Sequence, residues 1–299
     1  MLTWTKLAAV KKGASPHDLS WIGGQLYGTG IRLEAWQWTD SGFASVVTKD
    51  DGERVLEGTW TEHVLAAWDG CLVGFGIDGR TFVLDVGAKQ WQARSEPDTI
   101  FKLQFTSRGV PRHTSQGALA AFDPGRGLAV LWGPAKAAGR KDETYVHDGK
   151  KWTKAKRGTP FADADDESAS GFALYYDPTE KAVVRVGKTS VGVFDGKAWT
   201  QFPLEGADVL DRWYPRPCVG RTAAWIIQPG IHHRDVIRVQ RAGDRFTATR
   251  VGQLERPVET ESNRICDLGV YDPQQERFLA FVDVKREQHL FAADFSTLA

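Results

Sequence analysis

Five side chains of metal-ligating type stand at similar places along the 299 residues. His17, His63 and His113 lie four, five and nine residues before an aromatic, respectively Trp21, Trp68 and Phe122. Cys218 and Cys266 lie seven and five residues before Trp225 and Tyr271. Imidazoles and thiolates converging on one rim would hold a transition metal. Strand alternation works against that convergence, because residues four and five before a marker point to opposite faces unless a bulge intervenes. A second set suits recognition rather than catalysis. Phe101, Phe105, Arg108, Arg112 and His113 fall in one long connection, 92–116, and Trp213, Tyr214 and Arg216 fall in another, 203–221. Aromatic and Arg side chains are the types that anchor protein interfaces.

Other chemistries are removed by their missing motifs. No GxSxG, HExxH, CxxC or GxxxxGK[ST] occurs, so the motif-bearing hydrolases, zinc proteases, dithiol oxidoreductases and nucleotide-binding loops are excluded. The run Gly74 to Gly79 fits GxGxxG, but no helix follows it to hold a phosphate, so it reads as a hairpin turn. Asp163, Asp165 and Asp166 resemble the start of a calcium loop. Ser168 and Leu174 then stand where Gly and a bidentate Glu are required, which leaves a solvated acidic loop. His232, His233 and Arg234 form a cluster expected to be exposed and to lack a third ligand.

The elements that must position these residues come from a repeat. Trp21, Trp68, Phe122, Tyr176, Trp225 and Tyr271 recur at intervals of 47, 54, 54, 49 and 46, and each is read as ending the first strand of a unit. Asp-Gly or Asp-Pro follows most of them, a turn with a mechanism of its own, and an alternating apolar strand comes next. Units close on a second turn, as in Asp148-Gly149-Lys150-Lys151-Trp152 and Asp195-Gly196-Lys197-Ala198-Trp199. A period in the high forties with only strand signals inside it suits a four-stranded blade. Six starts face five ends, and Met1 to Lys6 matches the outer-strand text Lys150 to Lys154. The expectation is one all-β domain over 1–299, a six-bladed β-propeller of four-stranded antiparallel blades starting near 17, 63, 117, 171, 221 and 266. Residues 2–8 are expected to close the ring as the outer strand of the last blade.

This pattern of aromatic-Asp-Pro turn, Gly-ended strand and Asp-Gly-Lys-x-Trp resembles the kelch-type β-propeller over essentially the whole chain. The glycine doublet of that family is reduced here to Gly133-Pro134 or a lone Gly187. The resemblance implies a protein-binding scaffold more often than an enzyme.

Charge and composition narrow the partners. Thirty-eight Lys and Arg balance 38 Asp and Glu, so no global field draws the chain to nucleic acid or an anionic membrane. Three scattered cysteines fit a reducing compartment, and no 18-residue apolar run occurs, so a monomeric cytoplasmic protein is expected, bacterial in style. The leading functional reading is a non-catalytic propeller that presents Phe101, Arg112, Trp213, Tyr214 and Arg216 to a protein partner, toxin neutralisation being one version. No cofactor is assigned on this reading. The alternative is an enzyme or small-ligand propeller with its site at the channel mouth, where Arg264 and the metal candidates His17, His63 and His113 would supply the polar groups.

Overall fold

The computed structural model describes residues 2–10, 16, 18–30, 32–40, 42–56, 61–67, 71–76, 80–95, 119–133, 143–155, 173–187, 189–210, 216–228, 233–255, 269–284 and 287–298. After β1 (Trp4–Val10) the chain repeats one meander. The first unit is β2 (Asp18–Ile22), β3 (Gln25–Thr29), β4 (Ala35–Thr39) and β5 (Gly42–Val47). A helix, α1 (Lys49–Leu56), leads to the second unit, β6 (Thr61–Ala67), β7 (Cys71–Gly76), β8 (Thr81–Asp85) and β9 (Gln90–Ser95). The third comprises β10 (Leu119–Asp123), β11 (Leu128–Gly133), β12 (Glu143–His147) and β13 (Trp152–Lys154). The fourth comprises β14 (Ala173–Asp177), β15 (Ala182–Val186), β16 (Ser190–Phe194) and β17 (Trp199–Glu205). The fifth has β18 (Arg216–Val219), β19 (Ala224–Gln228), β20 (His233–Ala242) and β21 (Arg245–Glu255), and the last has β22 (Gly269–Asp272), β23 (Arg277–Val284) and β24 (Glu287–Asp294).

These strands make an all-β propeller. The first strands of successive units touch in turn, β2 to β6 to β10 to β14 to β18 to β22, and β22 returns to β2. Apolar residues on neighbouring sheets interlock in the gaps between them. Leu33, Leu56, Leu72, Phe82, Leu84 and Trp91 fill one gap, and Trp225, Tyr271, Phe278, Phe291 and Phe295 fill another. Each such side chain contributes about 1.5–3 kcal/mol by leaving water. Every unit therefore depends on its neighbours for its core.

Three expectations need correction. Instead of six separate sheets there are four of four strands and one of eight. The fourth and fifth units fuse because β17 runs on past its hairpin and pairs in parallel with β21, Leu204 with Phe246 and Glu205 with Thr247. Gly206 then turns the chain at φ 71, and a side chain there would meet the Ala248 carbonyl at 2.5 Å. Second, the fifth unit begins earlier than residue 221. Trp225 lies in the second strand, opposite Cys218, because the turn falls at Gly220, whose N–H donates to the Ala223 carbonyl at 2.8 Å. Pro203 and Arg216 are accordingly strand residues, and the expected connection 203–221 shortens to 206–215. Third, not every connection is irregular: Thr48 and Asp51 exchange hydrogen bonds at the start of α1 (2.6 and 3.3 Å), a local cap that the strand periodicity hid. Gly52 lets that helix press against the Arg32 carbonyl, where no side chain would fit. None of the described helices is long and apolar enough to cross a membrane.

The N-terminal segment lies outermost on the last sheet, in the order β1-β24-β23-β22. Trp4 stands opposite Ala293 and Val10 opposite Gln288, with a bulge between Lys6 and Ala8. Leu2 reaches further, donating its N–H to the Gln253 carbonyl (2.7 Å) and accepting from the Glu255 N–H (3.2 Å), so it also ties down β21. The Trp4 indole donates to the Glu255 carbonyl, and its ring packs 6.1 Å from Phe278 and 6.5 Å from Phe291. Removing residues 1–10 strips a whole ladder and uncovers Phe278 and Phe291. The expected cost is several kcal/mol, about 10 °C or more in melting temperature, read by thermal unfolding. A truncated chain that melts like the intact one would show that this strand carries no stability.

Candidate functional site

In an antiparallel meander successive connections alternate between the two ends of the sheet, which sorts the loops of this chain into two faces. At one end stand the first-to-second and third-to-fourth turns: 23–24, 40–41, 68–70, 86–89, 124–127, 148–151, 178–181, 195–198, 220–223, 243–244 and 273–276. None of these exceeds four residues. At the other end the second and fourth strands of the units finish, and there the described strands flank the second-to-third and unit-to-unit intervals, including 48–60, 96–118, 155–172, 206–215 and 256–268, the longest of them 23 residues. The long intervals between described strands all begin and end at this one end of the sheets.

The short-turn face has a fixed polar chemistry. Asp123, Asp177 and Asp272 are buried where the first strand ends, and each accepts main-chain N–H groups of its own turn. The Asp177 carboxylate takes Thr179 (2.7 Å) and Glu180 (3.2 Å); that of Asp272 takes Gln274 (2.9 Å), Gln275 (3.2 Å) and the Arg277 guanidinium (3.0 Å). In the outer turns Asp148 accepts from Lys150 and Lys151, both at 2.9 Å, and Asp195 from Lys197 and Ala198, both at 2.8 Å. Those amide bonds hold the Asp148 and Asp195 carboxyls below the usual carboxylate range. These carboxylates act as turn locks, one oxygen of each accepting the backbone N–H groups of its turn. His147, fully buried at the end of β12, joins the same scheme: its Nδ1 accepts the Gly149 N–H at 3.0 Å. Burial and that bond both favour neutral imidazole, and desolvation pushes its pKa down.

Two arginines are also enclosed. Arg185, wholly buried in β15, stacks 3.6 Å over the ring of Trp132 from the preceding unit, a cation–π contact across the gap between blades. Arg234, expected in an exposed cluster, is buried, because it stands within the long β20–β21 pair opposite Leu254. No local sequence pattern marked either one.

The residues singled out from sequence divide sharply. Phe101, Arg112, Trp213 and Tyr214 lie outside the described residues, as do His17, His113, Arg264 and Cys266. Arg216 opens β18, and His63 sits in β6, where the ladder shifts register between Thr61 and His63. Cys218 is a core residue, fully buried against Trp225 and Tyr271, so it is no rim ligand. Among the described residues no three His, Cys, Asp or Glu side chains come together to hold a metal.

The sign of the His147 effect gives a test. The unfolded chain takes up a proton near pH 6.5, whereas the folded imidazole resists it until lower pH. The contribution is therefore complete above about pH 6.5 and declines as pH falls toward the depressed folded value. Urea unfolding at pH 7.5 and 5.5 should show wild type losing stability and His147→Gln losing measurably less. Equal losses in the two proteins would mean that His147 is not the group titrating.

No protein-family model matches the chain, and no curated protein sequence matches it. Solved structures do resemble it in shape. A Bacteroides thetaiotaomicron protein of unknown function superposes with a TM-score of 0.61 at 10% identity, over 97% of this chain and 76% of that one. YCF48 from Cyanidioschyzon merolae gives 0.46 at 12% identity, over 92% and 79%. Myxococcus xanthus glutaminyl cyclase gives 0.42 at 10% identity, over 98% and 97%. At such identities the likeness concerns the fold alone.

Proposed function

We propose that the chain is a cytoplasmic, monomeric, kelch-type six-bladed propeller that binds a protein partner through its long-loop face. The six-blade count treats the eight-stranded sheet as two blades joined at their outer strands, and the unbroken circuit of first strands from β2 to β22 and back supports it. In this count β1 completes the sixth blade.

One observation carries the binding reading: the confinement of every long connection to one end of the sheets. Variable loops on a rigid support are where recognition residues concentrate, and this support is rigid because each sheet shares its core with the next. On that face the connections 96–118 and 206–215 contain Phe101, Arg112, Trp213 and Tyr214, with Arg216 at the edge of the second. Their residue types suit an interface with aromatic and guanidinium anchors. A toxin or other effector that the propeller neutralises is one partner of this kind. The opposite face supports a structural role, since its carboxylates are committed to the turns.

The test is affinity capture from a lysate with the intact chain as bait, repeated with Trp213→Ala/Tyr214→Ala and with Lys150→Ala/Lys151→Ala on the opposite face. The first double variant should lose a captured protein at least tenfold while melting within about 2 °C of wild type, because surface changes away from packed groups are nearly neutral. The second should retain it. Loss only from the second, or equal capture by all three proteins, would move the interface off the long-loop face.

A further inference from the structure

At three of the gaps on the short-turn face, side chains from the first-to-second turns bridge neighbouring units. From the third unit to the fourth, Arg126 donates to Asp123 (2.7 Å) and to the Lys181 carbonyl (2.8 Å), and its side chain lies against Gly196. From the fourth to the fifth, Thr179 donates to the Thr222 carbonyl (3.2 Å), and Glu180 pairs with Arg241 (3.3 Å). From the last unit to the first, Gln274 lies so close over Gly24 that a methyl there would meet its amide nitrogen at 2.9 Å.

The gap between the first and second units has no such bridge among the described residues. Its turn is only Gly23-Gly24, at φ 55 and 82, where Asp123 to Leu128 spans four turn residues. Neither glycine has a side chain to cross the gap, and a Cβ placed on Gly23 would find nothing within 4 Å. A cleft of about 340 Å³ is left, with Gly23, Gln25 and Tyr27 on one wall and Asp85, Val86 and Gly87 on the other. Tyr27 is 4% exposed and lines this cleft. Asp85 uses one oxygen to cap Ala88 (3.0 Å), and no cation pairs with it among the described residues. In the matching outer turn of the fourth unit, Asp195 has Arg126 beside it.

We propose that this cleft is a binding site for a small guanidinium compound, which supplies between the first and second units the group that Arg126 supplies between the third and fourth. A planar guanidinium presents paired N–H donors that fit a carboxylate edge such as that of Asp85, with the Tyr27 hydroxyl as a second acceptor. Val86 and the Tyr27 ring cover the apolar stem. Cys71 borders the cleft, but it packs into the cluster of Val73, Val83 and Ala129 on the far side of its sheet, so no thiol chemistry is implied. The site lies on the face opposite the proposed partner surface, and each can fail without the other.

The experiment is titration of the ¹⁵N-labelled full chain with ethylguanidinium chloride, alongside tetramethylammonium chloride at matched ionic strength. Saturable amide shifts at Gly23, Gln25 and Gly87 are expected with ethylguanidinium only. Asp85→Asn, which keeps an oxygen to cap Ala88, should weaken the affinity about two- to fivefold, the scale of one exposed charge pair. The proposal is overturned if both salts give the same shifts, or if Asp85→Asn leaves the titration unchanged.

Discussion

The pairing of β1 with β24 is the constraint from which the rest of the architecture follows. A ring of sheets that bury their apolar faces against one another has no natural end, so the first and last sheets must also pack together or leave a core surface wet. Here the two ends of the chain meet in one sheet: β22 to β24 come from the C-terminal end and β1 from the N-terminal end. The last blade is complete only when both are present. Leu2 extends the stitch to β21, so the first residues join β24 to β21. Closure by hydrogen-bonded ladder, rather than by side-chain packing alone, covers the edge of β24 with β1.

Given that closure, the two faces can diverge. One carries buried or amide-bonded aspartates in several of its turns, and its connections are two to four residues long. Those carboxylates replace the main-chain partners that a tight turn cannot supply, which fixes where each strand begins. The other face carries the chain's spare length. The division matters for function because evolution can vary the long connections without disturbing the Asp-anchored register of the strands beneath them. The short-turn face varies only where an anchor is dispensable, as at Gly23-Gly24, and there the missing side chain leaves a cleft instead of a contact.

Much of this was legible in the sequence because turn chemistry is local. Asp-Pro after an aromatic located three of the hairpin turns that Asp side chains lock and Asp-Gly-Lys-x-Trp two more, and the resemblance between Met1 to Lys6 and Lys150 to Lys154 pointed to an outer strand at the N-terminus. Where the reading failed, the deciding contact was distant. Trp225 has the right type to end a first strand, yet Gly220 turns the chain before it, and nothing within a few residues tells the two apart. The parallel pairing of β17 with β21 joins segments some forty residues apart and follows from their unusual length. Arg185 looks like an exposed strand residue until Trp132 of the neighbouring unit is set against it. The candidate interface was legible only as composition, since Phe101, Arg112, Trp213 and Tyr214 lie outside the described residues, and a rim site built on Cys218 was misread because burial is a tertiary property.

Native-state hydrogen exchange on the amides of Trp4 to Val10 tests the closure most directly. If the ring is held by this strand, its ladder amides open only with the whole sheet, and their protection matches that of Phe278 to Val282 in β23. Protection at the level of a frayed terminus, with β23 still fully protected, would contradict it and would mean that the ring stands without its N-terminal strand.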